Sequence, residues 1–142
     1  MISIIFAIVS GISMTLQGIF NTRLSSKIGI WETNVLVQGS ALILTLIISF
    51  FIGKGDYREI KNVNKLYLLG GILGVIIIFT VMKSIGSMGA TCGIAIILVA
   101  QLLSAALIDA FGLFDTEKIA FGIKQILGVI VMISGIILFK WK

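Results

Sequence analysis

The sequence predicts an all-α polytopic membrane protein with five transmembrane helices, on three observations. Hydrophobic residues make up 58% of the 142 and charged residues only 12%, with a mean hydropathy of +1.19; soluble domains average roughly 45–50% apolar and about 25% charged. Five apolar stretches, each near the ~20 residues a helix needs to cross the hydrocarbon core, are separated by short polar connections. None of them alternates apolar and polar residues over about 10 positions, as the strands of a membrane β-barrel do. Residues 1–142 read as one membrane domain.

The elements follow in order. The first helix is predicted over residues 2–22. It lacks the basic start and A-x-A-like site of a signal peptide and carries Gln17 and Asn21, so it is expected to stay with the protein. The second covers residues 33–52, and the longest polar connection follows, with Gly53 and Gly55 marking a turn. The third, residues 66–82, is the shortest and leads through a tight connection at residues 83–87 into the fourth, residues 88–110, as a helical hairpin. After a polar patch at residues 115–118 the fifth covers residues 123–139 and ends in Lys140, Trp141 and Lys142. Trp31 and Trp141 fall at predicted interfaces, where amphipathic rings settle. Proline is absent, so bends are left to Gly, Ser and Thr.

The net charge of +5 does not signal nucleic-acid binding: the Lys and Arg residues flank apolar runs, where they anchor helix ends, and no basic patch is interleaved with aromatics. Alternating spans put Lys54, Arg58, Lys61, Lys65, Lys118 and Lys124 on the N-terminal face and Arg23, Lys27, Lys83, Lys140 and Lys142 on the other. Six against five is nearly balanced, whereas an excess of Lys and Arg normally fixes orientation. The balance suggests a protein that inserts both ways and pairs with an inverted copy of itself. With no histidine, one cysteine (Cys92) and no paired acids in a span, an enzyme, a metal site and a cofactor are not expected.

Polar side chains in hydrocarbon are costly and usually face a bundle interior or a cavity. Ser10, Ser13, Gln17 and Asn21 lie within one stripe of the first helix, and Gln38 sits about two turns into the second. On the fourth, Gln101, Ala105 and Asp109 are spaced four apart, flanked by Ser104. Amides donate and accept hydrogen bonds, which suits a polar or cationic organic solute; helix–helix hydrogen bonding is the alternative use of each. Two carboxylates lie near span ends. Asp109 and Glu32 are candidates to couple transport by carrying a proton or competing for a cation. Alternatively Asp109 pairs with Lys118 or Lys124, while Glu32 pairs with Arg23 or Lys27 or favours a helix N-terminus. Gly70 and Gly74, and Gly89 and Gly93, have the four-residue spacing that lets helices approach closely; Gly128 and Gly135, seven apart, share a face of the fifth helix. These are candidates for helix packing and, on the fifth helix, for a dimer contact.

Several of these segments have a family look. GISMTLQGIFNTRL at residues 11–24, LGGILG at 69–74, and LGVIVMISGIIL at 127–138 resemble the first, third and closing helices of the YdcZ-like branch of the drug/metabolite transporter superfamily. Gly86, Gly89, Gln101, Ser104 and the run Asp109, Ala110, Phe111, Gly112 are similar to its fourth-helix motif. There are departures: Ala100 stands where glycine is common and Ala110 where histidine is common, and residues 31–39 (WETNVLVQG) look like a sub-branch variant. The resemblance implies a five-helix unit that is half of the superfamily's ten-helix inverted repeat, in a prokaryotic cytoplasmic (inner) membrane. It is distantly similar to the small multidrug resistance proteins, antiparallel dimers whose last helix pairs through glycines seven apart. Their membrane-embedded glutamate on the first helix has no counterpart here.

The expected function is a secondary transporter of a small polar or cationic organic molecule. It would act by alternating access as a homodimer, with Ser13, Gln17, Asn21, Gln38, Gln101 and Ser104 contacting solute. Its partners are a second copy, the solute and the bilayer, with no nucleic acid. The alternative is a non-transporting scaffold or subunit of a larger membrane complex.

Overall fold

The computed structural model describes residues 1–119 and 122–140, with side chains to Leu138. Trp141, Lys142 and the side chain of Lys140 lie outside the described residues. The chain is helical, with no strand among the described residues. It has five α-helices: α1 (Ile2–Ile28), α2 (Ile30–Ile52), α3 (Gly70–Met88), α4 (Ala90–Phe111) and α5 (Ile123–Lys140). Three 3-10 turns join them, at Tyr57–Lys61, Lys65–Leu69 and Leu113–Asp115. Four segments are long and apolar enough to span a membrane: α1, α2, the stretch Lys65–Met88 and α4. The 18 residues of α5 rise ~27 Å, close to the ~30 Å hydrocarbon core.

Several helices outrun their expected ends. α1 continues past Thr22 to Ile28, with no glycine or proline to stop it before Gly29 and with its hydroxyls satisfied within the helix: Thr22 Oγ1 donates to Gly18 O at 2.7 Å and Ser25 Oγ to Thr22 O at 2.9 Å. Gly29 stops it, with φ 102°, a conformation only glycine adopts readily. α2 therefore starts at Ile30, before the expected residue 33, and Thr33 Oγ1 donates to Gly29 O at 2.8 Å. The expected connection at residues 83–87 is likewise helical. Ser87 Oγ donates to Lys83 O at 2.9 Å, and the break between α3 and α4 falls at Gly89, φ 81°. Lys83 is thus a residue of α3 rather than of a loop. In the polar connection, Asp56 Oδ1 accepts from Arg58 N at 2.8 Å and Asn64 Oδ1 from Leu66 N at 3.0 Å, each starting a 3-10 turn.

The chain divides into two compact units, Met1–Ser87 and Met88–Lys142. In the first, α3 packs on both α1 and α2. Its Ile78, Met82 and Ile85 are buried, as are Gly18 and Asn21 of α1 and Thr33 and Asn34 of α2. Gly18 is a point of close approach: a Cβ there would stand 2.8 Å from Ile85 Cδ1 and 3.1 Å from Val81 Cγ1. In the second unit α4 and α5 form a hairpin with Gly93 and Val129 buried. Gly112, φ 63°, caps α4 by donating to Asp109 O and Ile108 O.

Candidate functional site

Within the first unit, the sequence-predicted residues divide by burial. Asn21 is buried on the α1 face that carries Gly18, while Ser13 and Gln17 are exposed. Gln38 is half-buried, its amide seated over Gly74: a Cβ on that glycine would lie 3.0 Å from Gln38 Nε2. Gly74 thus makes room for an amide, whereas Gly70 faces open space. Two residues that the sequence reading passed over are more deeply placed than any of these. Thr33 is 0% exposed and Asn34 3%. Asn34 Nδ2 crosses to α3 and donates to Val75 O at 3.0 Å; its Oδ1 is buried without a partner. The signal that would have found it is its spacing of four from Gln38 on the same helix face.

Glu32 is exposed in the first turn of α2, and its carboxylate folds back against Gly29. An acid there meets the positive end of the helix dipole. Next to it, the Trp31 ring stacks on Phe79 of α3 with centroids 5.0 Å apart. Among the described residues neither Glu32 nor Asp109 makes an ion pair, so the pairings with Arg23, Lys27, Lys118 or Lys124 are not formed.

Within the second unit, Gln101 and Ser104 are exposed on α4. Among the described residues the side chains of Ser13, Gln17, Gln101 and Ser104 make no hydrogen bond. Two cavities lie between α4 and α5. One of about 540 Å³ is lined by half-buried Asp109 with Gln125, Gly128, Leu102, Val129 and Met132. The other, about 610 Å³, is lined by Gly89, Thr91, Cys92, Met132 and Gly135 among others. Both volumes suit a small organic ligand, and both sites are mainly apolar with few polar groups. Gln125 was not singled out by sequence; its Oε1 also accepts from Gly122 N at 3.1 Å, at the start of α5. Gly128 and Gly135 meet nothing within 4 Å, so on this hairpin no described side chain uses the room they leave. Gly93 is buried and Gly89 is the turn before α4.

Residues 2–138 match the family described as "Putative inner membrane exporter, YdcZ". The chain belongs to this family. No curated protein and no solved structure matches it. Membership of the YdcZ family, with helices long and apolar enough to span a bilayer, supports a membrane transporter and an integral membrane protein.

Proposed function

We propose that the protein is a secondary exporter of a small polar or cationic organic molecule in the inner membrane, working by alternating access as an antiparallel homodimer. Export and the inner membrane follow the description of the YdcZ family. One observation carries the rest: Gln17, Gln101 and Ser104 stand exposed and unbonded on otherwise apolar helices. An amide in hydrocarbon without a partner is unfavourable by several kcal/mol in the limit of no compensation (~4–8 kcal/mol for transfer to an alkane). A second copy that turns these faces toward a shared, hydrated pathway removes that cost. The nearly balanced Lys and Arg count leaves the second copy free to insert inverted. The inverted pair would then present equivalent mouths to both sides.

In this reading Ser13, Gln17, Asn21, Gln38, Gln101 and Ser104 contact solute. Asp109, beside a cavity of about 540 Å³ and without an ion pair among the described residues, is the charge that favours a cation or couples its movement. Glu32, drawn against its own helix N-terminus, is the weaker candidate for coupling.

Purified protein in liposomes tests the function, using methyl viologen, choline and guanidinium as cations and a sugar alcohol as a neutral probe. Flux of at least one probe, reduced by Gln101→Ala, is expected. No flux of any probe, with Gln101→Ala indistinguishable from the parent, favours the scaffold. Reporters fused to the C-terminus test the assembly: signals from both sides are expected, and a single orientation overturns the inverted pair.

A further inference from the structure

We infer that α3 has a second resting position, displaced by one helical turn along α1 and α2, and that Asn34 is the positioning residue that holds it in either place. Three α2 residues on one face grip α3: the Trp31 ring stacks on Phe79, Asn34 Nδ2 bonds Val75 O, and the Gln38 amide lies over Gly74. Each α3 partner has a stand-in four residues earlier: Val75 for Phe79, Gly71 for Val75, and Gly70 for Gly74. A move of α3 toward its own C-terminus by four residues, about 6 Å, exchanges every member of the set.

Two glycines make the exchange possible. Gly70 and Gly71 are the first two residues of α3, Gly70 also closing the preceding 3-10 turn, and they meet no atom within 4 Å of where a Cβ would stand. After the move, Gly70 lies beneath Gln38, where a side chain would collide as it would now at Gly74. On the α1 side, Gly18 now rests against Val81 and Ile85; after the move it meets Ile77 and Val81, β-branched like the pair they replace, while Met82 takes the place of Gly86 beside Thr22 and Gly74 that of buried Ile78, so the displaced position is packed less well there.

Asn34 supplies the independent sign. It holds a main-chain carbonyl, and carbonyls recur along a helix irrespective of side chain, so the grip transfers from Val75 to Gly71 unchanged. The grip is also single: Oδ1, on a residue 3% exposed, is buried and unpaired. A buried acceptor left unpaired weakens the position that strands it. The clasp therefore positions α3 without locking it, as a one-turn ratchet between packed helices requires. Exposed Lys83, inside α3, is carried toward the headgroups by the same move. The use of this shift, as the step between inward- and outward-facing states, rests on the transport reading; the shift itself does not.

Disulfide trapping in membrane vesicles tests it. In a Cys92→Ser background, Trp31→Cys is paired with Phe79→Cys for the position seen, with Val75→Cys for the displaced one, and with Ile76→Cys as an off-face control. Residues 75 and 79 are about 6 Å apart along α3, so one fixed register can bring both near disulfide reach of residue 31, and the response of the 31–75 bond to a block at Gly70 decides whether it reports a displaced register. Bonds at 31–79 and 31–75 are expected, both faster than 31–76. Adding Gly70→Leu, which blocks the passage beneath Gln38, should slow 31–75 about tenfold and spare 31–79. The inference is overturned if 31–75 forms no faster than 31–76, or if Gly70→Leu leaves it unchanged. Methyl viologen flux separates the two readings. Trapping at 31–75 without flux sinks transport and keeps the shift; flux with 31–79 alone does the reverse.

Discussion

The two units differ in the polar residues they bury. In the first, Asn21, Thr33 and Asn34 are 7%, 0% and 3% exposed, and Asn34 ties α2 to α3. In the second, Gln101 and Ser104 are exposed on α4, and Gly93 and Val129 are the buried residues among those described. Lipid gives helices no hydrophobic reason to associate, so small residues and hydrogen bonds must do it. The first unit uses part of its small and polar residues on its own helices: Gly18 lies against Ile85, and Gly74 lies under Gln38, while Ser13 and Gln17 stay exposed. A Cβ added at Gly128 or Gly135 of α5 would meet nothing within 4 Å, and both glycines line the cavities beside α4. The contrast teaches that the first unit commits part of its polar residues to its own packing, whereas those of the second stay on its surface.

One substitution made in both units gives the sharpest test. Gly18→Leu drives a side chain into Val81 and Ile85 and should destabilise the protein by about 1–3 kcal/mol, seen as a lower melting temperature in detergent. Gly128→Leu has open space in the single copy and should leave that melting temperature alone while lowering the fraction cross-linked as dimer. Equal loss of melting temperature in both variants would erase the distinction between the units.

A smaller effect is expected at Asp109. Asp109→Asn keeps the shape and removes the charge beside the cavity of about 540 Å³. Initial rates of methyl viologen flux should fall roughly tenfold, the size of about 1.4 kcal/mol of lost electrostatic stabilisation, with melting unchanged. Unchanged flux removes Asp109 from the pathway and with it the functional half of the comparison.

The all-helical class and its apolar spans were legible because each span must satisfy its backbone internally, which leaves long uninterrupted apolar runs. Helix ends were less so. Arg23, Ser25 and Ser26 look like a loop, yet nothing before Gly29 prevents helix, and Lys83 marks an interface level rather than a chain reversal. The placing of polar residues was legible in part. Spacing singled out Asn21, Gln38 and Asp109, which the fold leaves buried, half-buried and half-buried, but Asn34, close behind the charged Glu32, reads like headgroup sequence although α3 covers it. Gly70 and Gly74 looked equivalent, and only the position of the Gln38 amide tells them apart. What periodicity omits is which neighbour a face meets.

The smallest effect is expected at a deeply buried residue, Asn34, and the reason closes the comparison. Asn34→Leu deletes one hydrogen bond, and such bonds between membrane helices average about 0.6 kcal/mol. It also deletes a buried acceptor that has no partner, and relief of an orphaned polar atom offsets much of that loss. Leucine keeps the γ-branched outline of asparagine with more bulk, a smaller intrusion than a whole side chain added at Gly18, so the melting temperature in detergent should move by less than Gly18→Leu moves it. Asn34→Asp keeps an acceptor, removes the donor to Val75 O and introduces a carboxyl group, so it should be the more damaging of the two. If Asn34→Leu instead costs as much as Gly18→Leu, Oδ1 has a donor that the chain alone does not supply. The first unit would then depend on an outside component.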